Sequence, residues 1–129
     1  MTPRRVVGFA LAACLTTGLA YAHHSFVGTY DDKAKPVTIK GEIVQFLFRN
    51  PHSFIHVMAP DEQGEMQRWA IEWGGGGQIQ RMGITRETLK PGDVVVITGA
   101  PGRQAADHRL LVREISRPLD GWKWSGTVD

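Results

Sequence analysis

The sequence predicts a mainly β protein: a small five-stranded OB-like barrel with a short helix between strands three and four, preceded by a cleaved signal peptide. Three observations support this fold. A long apolar run at 37–48 changes its alternation part-way, the elements follow the order of an OB-type barrel, and the chain begins with a basic, then apolar segment. We divide the chain into a signal peptide (1–22), an N-terminal arm (23–36), the barrel (37–117) and a C-terminal tail (118–129).

The N-terminal segment has the pattern of an export signal. Arg4 and Arg5 precede an uncharged run that ends in Ala20-Tyr21-Ala22, which fits the small-x-small cleavage rule. The run covers about 17 residues, short of the ~20 that span a bilayer. We expect cleavage after Ala22 and a periplasmic protein. Lipidation of Cys14, in Leu-Ala-Ala-Cys at 11–14, is the alternative, but the apolar stretch before it is short.

Processing changes the charge and the thiol content. The full chain has 15 Lys and Arg against 13 Asp and Glu, and loss of Arg4 and Arg5 balances them. A neutral domain is not attracted to phosphate backbones, which argues against nucleic acid as a partner. Cys14, the only cysteine, leaves with the signal, so the processed chain has no disulfide and no thiolate ligand.

The first two strands surround a tight corner. Val37, Ile39 and Ile43 alternate onto one side, and the apolar phase then slips by one, which predicts a bulge or bend near Gly41. Arg49-Asn50-Pro51-His52 forms the corner, because proline fixes its own φ and restricts the residue before it. Alternation in the second strand predicts one face with Ser53, Ile55 and Val57, and another with His52, Phe54, His56 and Met58.

The remaining elements complete the predicted barrel. Residues 67–73 form the third strand with Trp69 and Trp73 in the core, 94–98 the fourth and 110–115 the fifth. Four glycines at 74–77 are interpreted as a flexible connection, followed by a helical turn at 78–82 and a second short helix at 86–90. Phe26 and Tyr30 are expected to tether the arm to the barrel.

Several short motifs together resemble those of a family of small bacterial exported proteins catalogued as a domain of unknown function. They are Ala-His-His-Ser-Phe at 22–26, Lys-Pro-Val-Thr-x-x-Gly at 35–41, Asn-Pro-His at 50–52, a Trp-containing strand with Glu72, and Leu-Lys-Pro-Gly-Asp-Val at 89–94. The resemblance covers His23 to about Ile115. It implies a periplasmic location and a compact β-fold, and it brings no activity or cofactor.

The processed N-terminus suggests a copper site. Cleavage after Ala22 would make His23 the first residue, whose α-amine and Nδ1 can chelate one ion, with His24 as a second local imidazole. Nitrogen-rich tetragonal sites favour Cu(II). His52 and His56 lie about 13 Å apart along a strand, so only one of them can join the site. His52, beside the corner, is the more accessible, and His108 in a polar loop is a further candidate.

The alternative is an OB-like module that binds a ligand or partner without metal. OB-type barrels bind on the face of strands two and three, where Arg49, His56, Arg68 and Glu72 are the candidate ligand-binding residues. A third hypothesis has Trp122 and Trp124 of the tail docking on a protein partner. The sequence contains no catalytic triad, paired carboxylates or zinc-hydrolase motif, so we do not expect an enzyme.

Overall fold

The computed structural model describes residues 26–128 as a mainly β domain. Its strands are β1 (Val37–Leu47), β2 (Phe54–Pro60), β3 (Met66–Glu72), β4 (Val94–Pro101), β5 (Arg109–Arg117) and β6 (Trp122–Ser125). Helix α1 (Gly76–Gln80) lies between β3 and β4, and a 3-10 helix, η1 (Ala105–Asp107), precedes β5. In this part of the chain, none of the helices is long and apolar enough to cross a membrane.

Five strands close into a barrel. The hydrogen-bonded order is β3-β2-β1-β4-β5, and a parallel pairing of β3 with β5 closes it, with Ala70 opposite Arg109 and Glu72 opposite Leu111. All other neighbouring strands are antiparallel. The predicted OB-like barrel, with a short helix between its third and fourth strands, is therefore confirmed.

The change of phase in β1 corresponds to a bulge. The register between β1 and β2 shifts between Ile43 and Gln45, which leaves Val44 without an opposite residue. Gly41 lies so close to β2 that a Cβ there would overlap the Met58 carbonyl. The extra residue and the missing side chain together let one long strand bend and pair with two neighbours, β2 and β4.

The barrel interior is apolar, as the alternation predicts. The buried set comes from every barrel strand and includes Ile39, Ile43, Ile55, Val57, Trp69, Ile71, Trp73, Val95, Ile97, Leu110, Val112 and Ile115. Trp73 is fully buried and Trp69 nearly so, which confirms both as core residues. Full burial of each large apolar side chain contributes about 1.5–3 kcal/mol, so this interior dominates the stability of the barrel.

The connection from β3 to β4 differs from the prediction. Helix α1 begins two residues earlier than expected, inside the glycine run. The second helix expected at 86–90 is only a turn: Thr88 donates its N–H to the Thr85 carbonyl, and its hydroxyl accepts from the Thr85 N–H. Threonine hydroxyls that bond to the nearby backbone favour a turn over a continuing helix.

The glycine run is a packed segment and not a flexible connection. Gly74, Gly75 and Gly76 are buried, and a Cβ on Gly75 would lie 2.5 Å from the Pro51 carbonyl oxygen. The Gly76 N–H donates to the Arg49 carbonyl at 2.9 Å. The absence of side chains here allows the β3–α1 connection to lie directly against the corner that precedes β2.

The C-terminal tail contributes a sixth strand that the sequence did not reveal. Strand β6 pairs with the end of β5, with Trp124 opposite Ile115. Trp122 and Trp124 share one side and pack against the core, and the Trp124 ring meets Trp73 edge-to-face at 5.0 Å. Docking of these tryptophans on a partner would compete with this packing.

Gly75→Ala is expected to destabilise the fold by about 1–3 kcal/mol, because the added methyl group overlaps backbone that cannot move without displacing the corner. Urea unfolding followed by tryptophan fluorescence measures the change. Gly28→Ala is the matched control, since a Cβ at this exposed position meets nothing within 4 Å. Equal stabilities of the two variants would contradict the packed role of Gly75.

Candidate functional site

The candidate site is centred on Glu72, a carboxylate that is buried on the outer side of the barrel. Its exposed fraction is 5 %. Oε1 lies 2.8 Å from Nδ1 of His52, and Oε2 accepts from Arg109 at 2.9 Å and from the Tyr30 hydroxyl. We call Tyr30, His52, Glu72 and Arg109 the Glu72 cluster. Three donors on one carboxylate satisfy the requirement that a buried charge be paired and hydrogen-bonded.

Four separate parts of the chain bring the cluster together. Tyr30 ends the helical turn of the arm at 26–29 and forms a β-bridge with Gly102. His52 belongs to the corner, which is fixed by reciprocal backbone bonds of Ser53 with Gly74 (3.1 Å) and Trp73 (2.8 Å). Glu72 and Arg109 lie on β3 and β5 where the barrel closes. The position of the cluster therefore depends on closure of the barrel.

Aromatic rings cover the charges of the cluster. Phe26 and Tyr30 pack against Ala100 and Leu111 as a small second core, which confirms the tether expected of the arm. The Arg109 guanidinium lies 5.5 Å from the centre of the Tyr30 ring and 5.8 Å from that of Phe54. Among the described residues, the buried Nε of Arg109 has no hydrogen-bond partner.

The electrostatics of the cluster keep the proton on Tyr30. Burial, together with the hydrogen bond to Glu72 and the charge of that carboxylate, raises the pKa of Tyr30 well above its usual value. Burial alone would lower the pKa of Arg109, but the interactions with Tyr30 and Glu72 raise it overall. At neutral pH, Tyr30 is therefore a neutral donor and Arg109 a cation.

The contact between His52 and Glu72 uses only one of the two ring nitrogens of His52. Because a carboxylate only accepts hydrogen bonds, Nδ1 of His52 carries the proton in the contact with Glu72. In the neutral imidazole, Nε2 is then an acceptor that can bind a metal ion. The ring stacks on Phe26 with a centroid distance of 4.7 Å, and 18 % of the side chain is exposed.

The residues predicted for a ligand-binding face do not form one continuous site. Glu72 is in the buried cluster, and Arg49 lies over the Phe54 ring at 5.5 Å. His56 and Arg68 instead form a separate pair, since Arg68 Nε donates to Nδ1 of His56 at 3.0 Å. Burial and the charges of Arg68 and Arg49 lower the pKa of His56, which favours its neutral form.

The predicted metal ligands are not all within the described part of the chain. His23 and His24 lie outside residues 26–128. Within that range, no three His, Cys, Asp or Glu side chains are close enough together to hold a metal ion. His108 lies in another region, where its ring meets Trp69 edge-to-face at 5.1 Å. Among the described histidines, His52 has a carboxylate, that of Glu72, within hydrogen-bonding distance of one ring nitrogen.

Sequence reasoning missed two members of the cluster. Tyr30 was expected only as an apolar tether, and Arg109 was not singled out. Their partner Glu72 is 42 and 37 residues away along the chain. One signal was available. The alternation of β3 places Glu72 on the face opposite Trp69 and Trp73. If that face is covered, the carboxylate needs a hydrogen-bonding partner.

The free energy of unfolding is expected to fall as the pH rises above about 10, because Tyr30 ionises in the unfolded chain before it can ionise in the folded one. Tyr30→Phe should remove this contribution. Urea unfolding between neutral and alkaline pH tests it. In a protein produced from His23 onwards, phenolate absorbance reports Tyr30 alone, because Tyr21, the other tyrosine, precedes that residue. An ordinary phenolate titration in the folded protein would contradict the prediction.

Glu72→Gln is expected to lower the free energy of unfolding by about 2–3 kcal/mol. This is less than the loss on breaking a fully buried ion pair, because Arg109 is one-third exposed. Glu114→Gln, at an exposed position of β5, is the control and should change stability by less than about 0.5 kcal/mol. Thermal or urea unfolding compares them. If the two substitutions cost the same, the Glu72 cluster does not support the fold.

Comparison with known proteins agrees with the resemblance seen in the motifs. The model of a family of unknown function, DUF6152, matches residues 11–111, a range that includes the whole Glu72 cluster. No curated protein and no solved structure matches the chain. Because the match covers most of the sequence, the chain belongs to the family of unknown function DUF6152.

Proposed function

We propose that the processed chain is a periplasmic Cu(II)-binding protein that uses the α-amine and imidazole of His23, together with His52 or His24. Cleavage after Ala22 is part of this proposal, because only then does His23 carry a free amine. The observation that carries the proposal is the orientation of His52. Its Nδ1 faces Glu72, so its Nε2 is left as a metal ligand.

The path of the arm supports the participation of His52. Phe26 stacks on the His52 ring, and His23 is only three residues before Phe26 in the sequence. Three residues extend over at most about 10–11 Å. The arm is therefore long enough for His23 to reach His52. His56 is hydrogen-bonded to Arg68 and lies further along β2.

The surroundings of His52 suit an imidazole ligand. A carboxylate bonded to the second ring nitrogen fixes the tautomer and increases the basicity of the ligating nitrogen. Arg109 offsets the charge of Glu72, which lowers the cost of keeping that carboxylate ionised beside the ring. An amine and two imidazoles would supply the nitrogen-rich set that Cu(II) prefers.

Titration of the processed protein with Cu(II), followed by EPR, is expected to show one site with nitrogen ligands. His52→Ala should weaken binding by at least about tenfold. Glu72→Gln should weaken it by about 10–100-fold, because it removes the negative charge that increases the basicity of the His52 imidazole. His56→Ala is the matched control and should bind as the wild type does. Equal affinity in all of these proteins would exclude His52.

Adding one alanine before His23 tests the terminal chelate. The extra residue removes the free amine from His23, so the affinity should fall by at least about tenfold. Mass spectrometry of the protein exported by its native host would identify the first residue. A chain that begins with lipidated Cys14, or unchanged Cu(II) binding after the alanine addition, would contradict the proposal.

A ligand-binding module of the cell envelope is the second candidate function. The face of β2 and β3 gives it little support, because Arg68 there donates to Nδ1 of His56 and to the side-chain oxygen of Gln45 on β1. A cavity at one end of the barrel favours it instead. Lack of copper binding in the titration, together with occupation of that cavity, would favour this second candidate.

A further inference from the structure

One end of the barrel contains a cavity that the copper site does not use. Its volume is about 520 Å³, within the range of about 300–1,000 Å³ typical of small-ligand sites. It lies between the start of β1, the β2–β3 hairpin and the loop that contains η1. The mouth of a barrel is a common place for a ligand pocket.

The inner part of the cavity is apolar. Val37, Ile39 and Trp69 line it from the barrel, and Pro60 and Pro101 line it from the ends of β2 and β4. Trp69 cannot offer its indole N–H to a ligand, because this group donates to the Ala59 carbonyl at 3.2 Å. The inner surface therefore suits a hydrocarbon body better than a polar one.

The rim has charges of both signs. Lys35 and Arg109 line the cavity on the cationic side, and Asp61 and Glu62 on the anionic side. Arg109 is already paired with Glu72, and Asp61 accepts from the side chain of Gln67 and the backbone of its own hairpin. Neither sign is in excess, so the rim does not select an anion or a cation.

His108 contributes a polar group to the lining of the cavity. Its Nε2 is 3.9 Å from Oδ2 of Asp61, too far for a direct hydrogen bond but suitable for a hydroxyl or amide bridging the two. The residue has a φ of 47°, the left-handed conformation that often ends a helical turn, and it caps η1.

We propose that this cavity binds a small neutral amphiphile, with its apolar body against Val37, Ile39 and Trp69 and a hydroxyl or amide group between His108 and Asp61. The site is independent of copper binding and gives the second candidate function a location and a ligand class. Arg109 borders both regions, since it lines the cavity and holds Glu72.

The neutral fluorophore N-phenylnaphthylamine is the probe for this cavity. Ala105→Trp places a large ring at the mouth and should weaken probe binding by at least about tenfold, that is about 1.4 kcal/mol. Ala106→Trp is the matched control, because Ala106 is the next residue of η1, is also exposed and does not line the cavity. Equal probe binding by both variants would overturn the proposal.

Competition and NMR provide two independent readouts. A medium-chain alcohol should displace the probe better than the carboxylate or the ammonium ion of the same chain length, and stronger competition by either ion would overturn the neutral class. In the wild-type protein, the alcohol should shift the amide signals of Val37, Ile39 and His108. Shifts confined to other regions would exclude the cavity.

The two proposals can fail separately. Ala105→Trp should bind Cu(II) as the wild type does, since Ala105 is not in the Glu72 cluster. Loss of probe binding with retained Cu(II) binding supports the cavity as a separate site. Loss of both in a variant with an unchanged circular dichroism spectrum would contradict that separation.

Discussion

The arrangement of the outer surface depends on the ionised carboxylate of Glu72. Burying a carboxylate is costly unless it is paired and fully hydrogen-bonded. Here the donors come from the arm, the corner before β2 and the start of β5, and each donor has to be in place for the charge to be tolerated. One carboxylate therefore connects three distant segments on the outer side of the barrel, and its contact with Nδ1 of His52 gives that ring a defined orientation.

The barrel interior and the Glu72 cluster contribute in different ways. The interior is aliphatic and aromatic, and its burial supplies most of the stability. The cluster lies on the opposite side of β3, under the arm, and its net contribution is small because desolvation offsets much of the ionic attraction. Substitutions on the outer side are therefore expected to leave the barrel folded, provided that the charge on Glu72 stays hydrogen-bonded.

Local patterns made the fold predictable, and long-range contacts made most of the site unpredictable. The faces of β2 and β3 follow from alternation, and the bulge in β1 follows from the slip after Ile43. Glu72 and His52 were both candidates, but nothing local indicates that they touch. The contact requires the β2–β3 register, which places Phe54 opposite Glu72, and the close approach of Gly75 to the corner. Both arise only in three dimensions.

Strand β6 has a consequence for solubility. Among the strands of residues 26–128, it alone has a single hydrogen-bonded neighbour, so its other side is an open sheet edge. Open edges invite pairing with other chains and aggregation. This edge is only four residues long, carries exposed Lys123 and has its tryptophans turned onto the core. Such a short, charged border discourages polymer growth when the protein is concentrated.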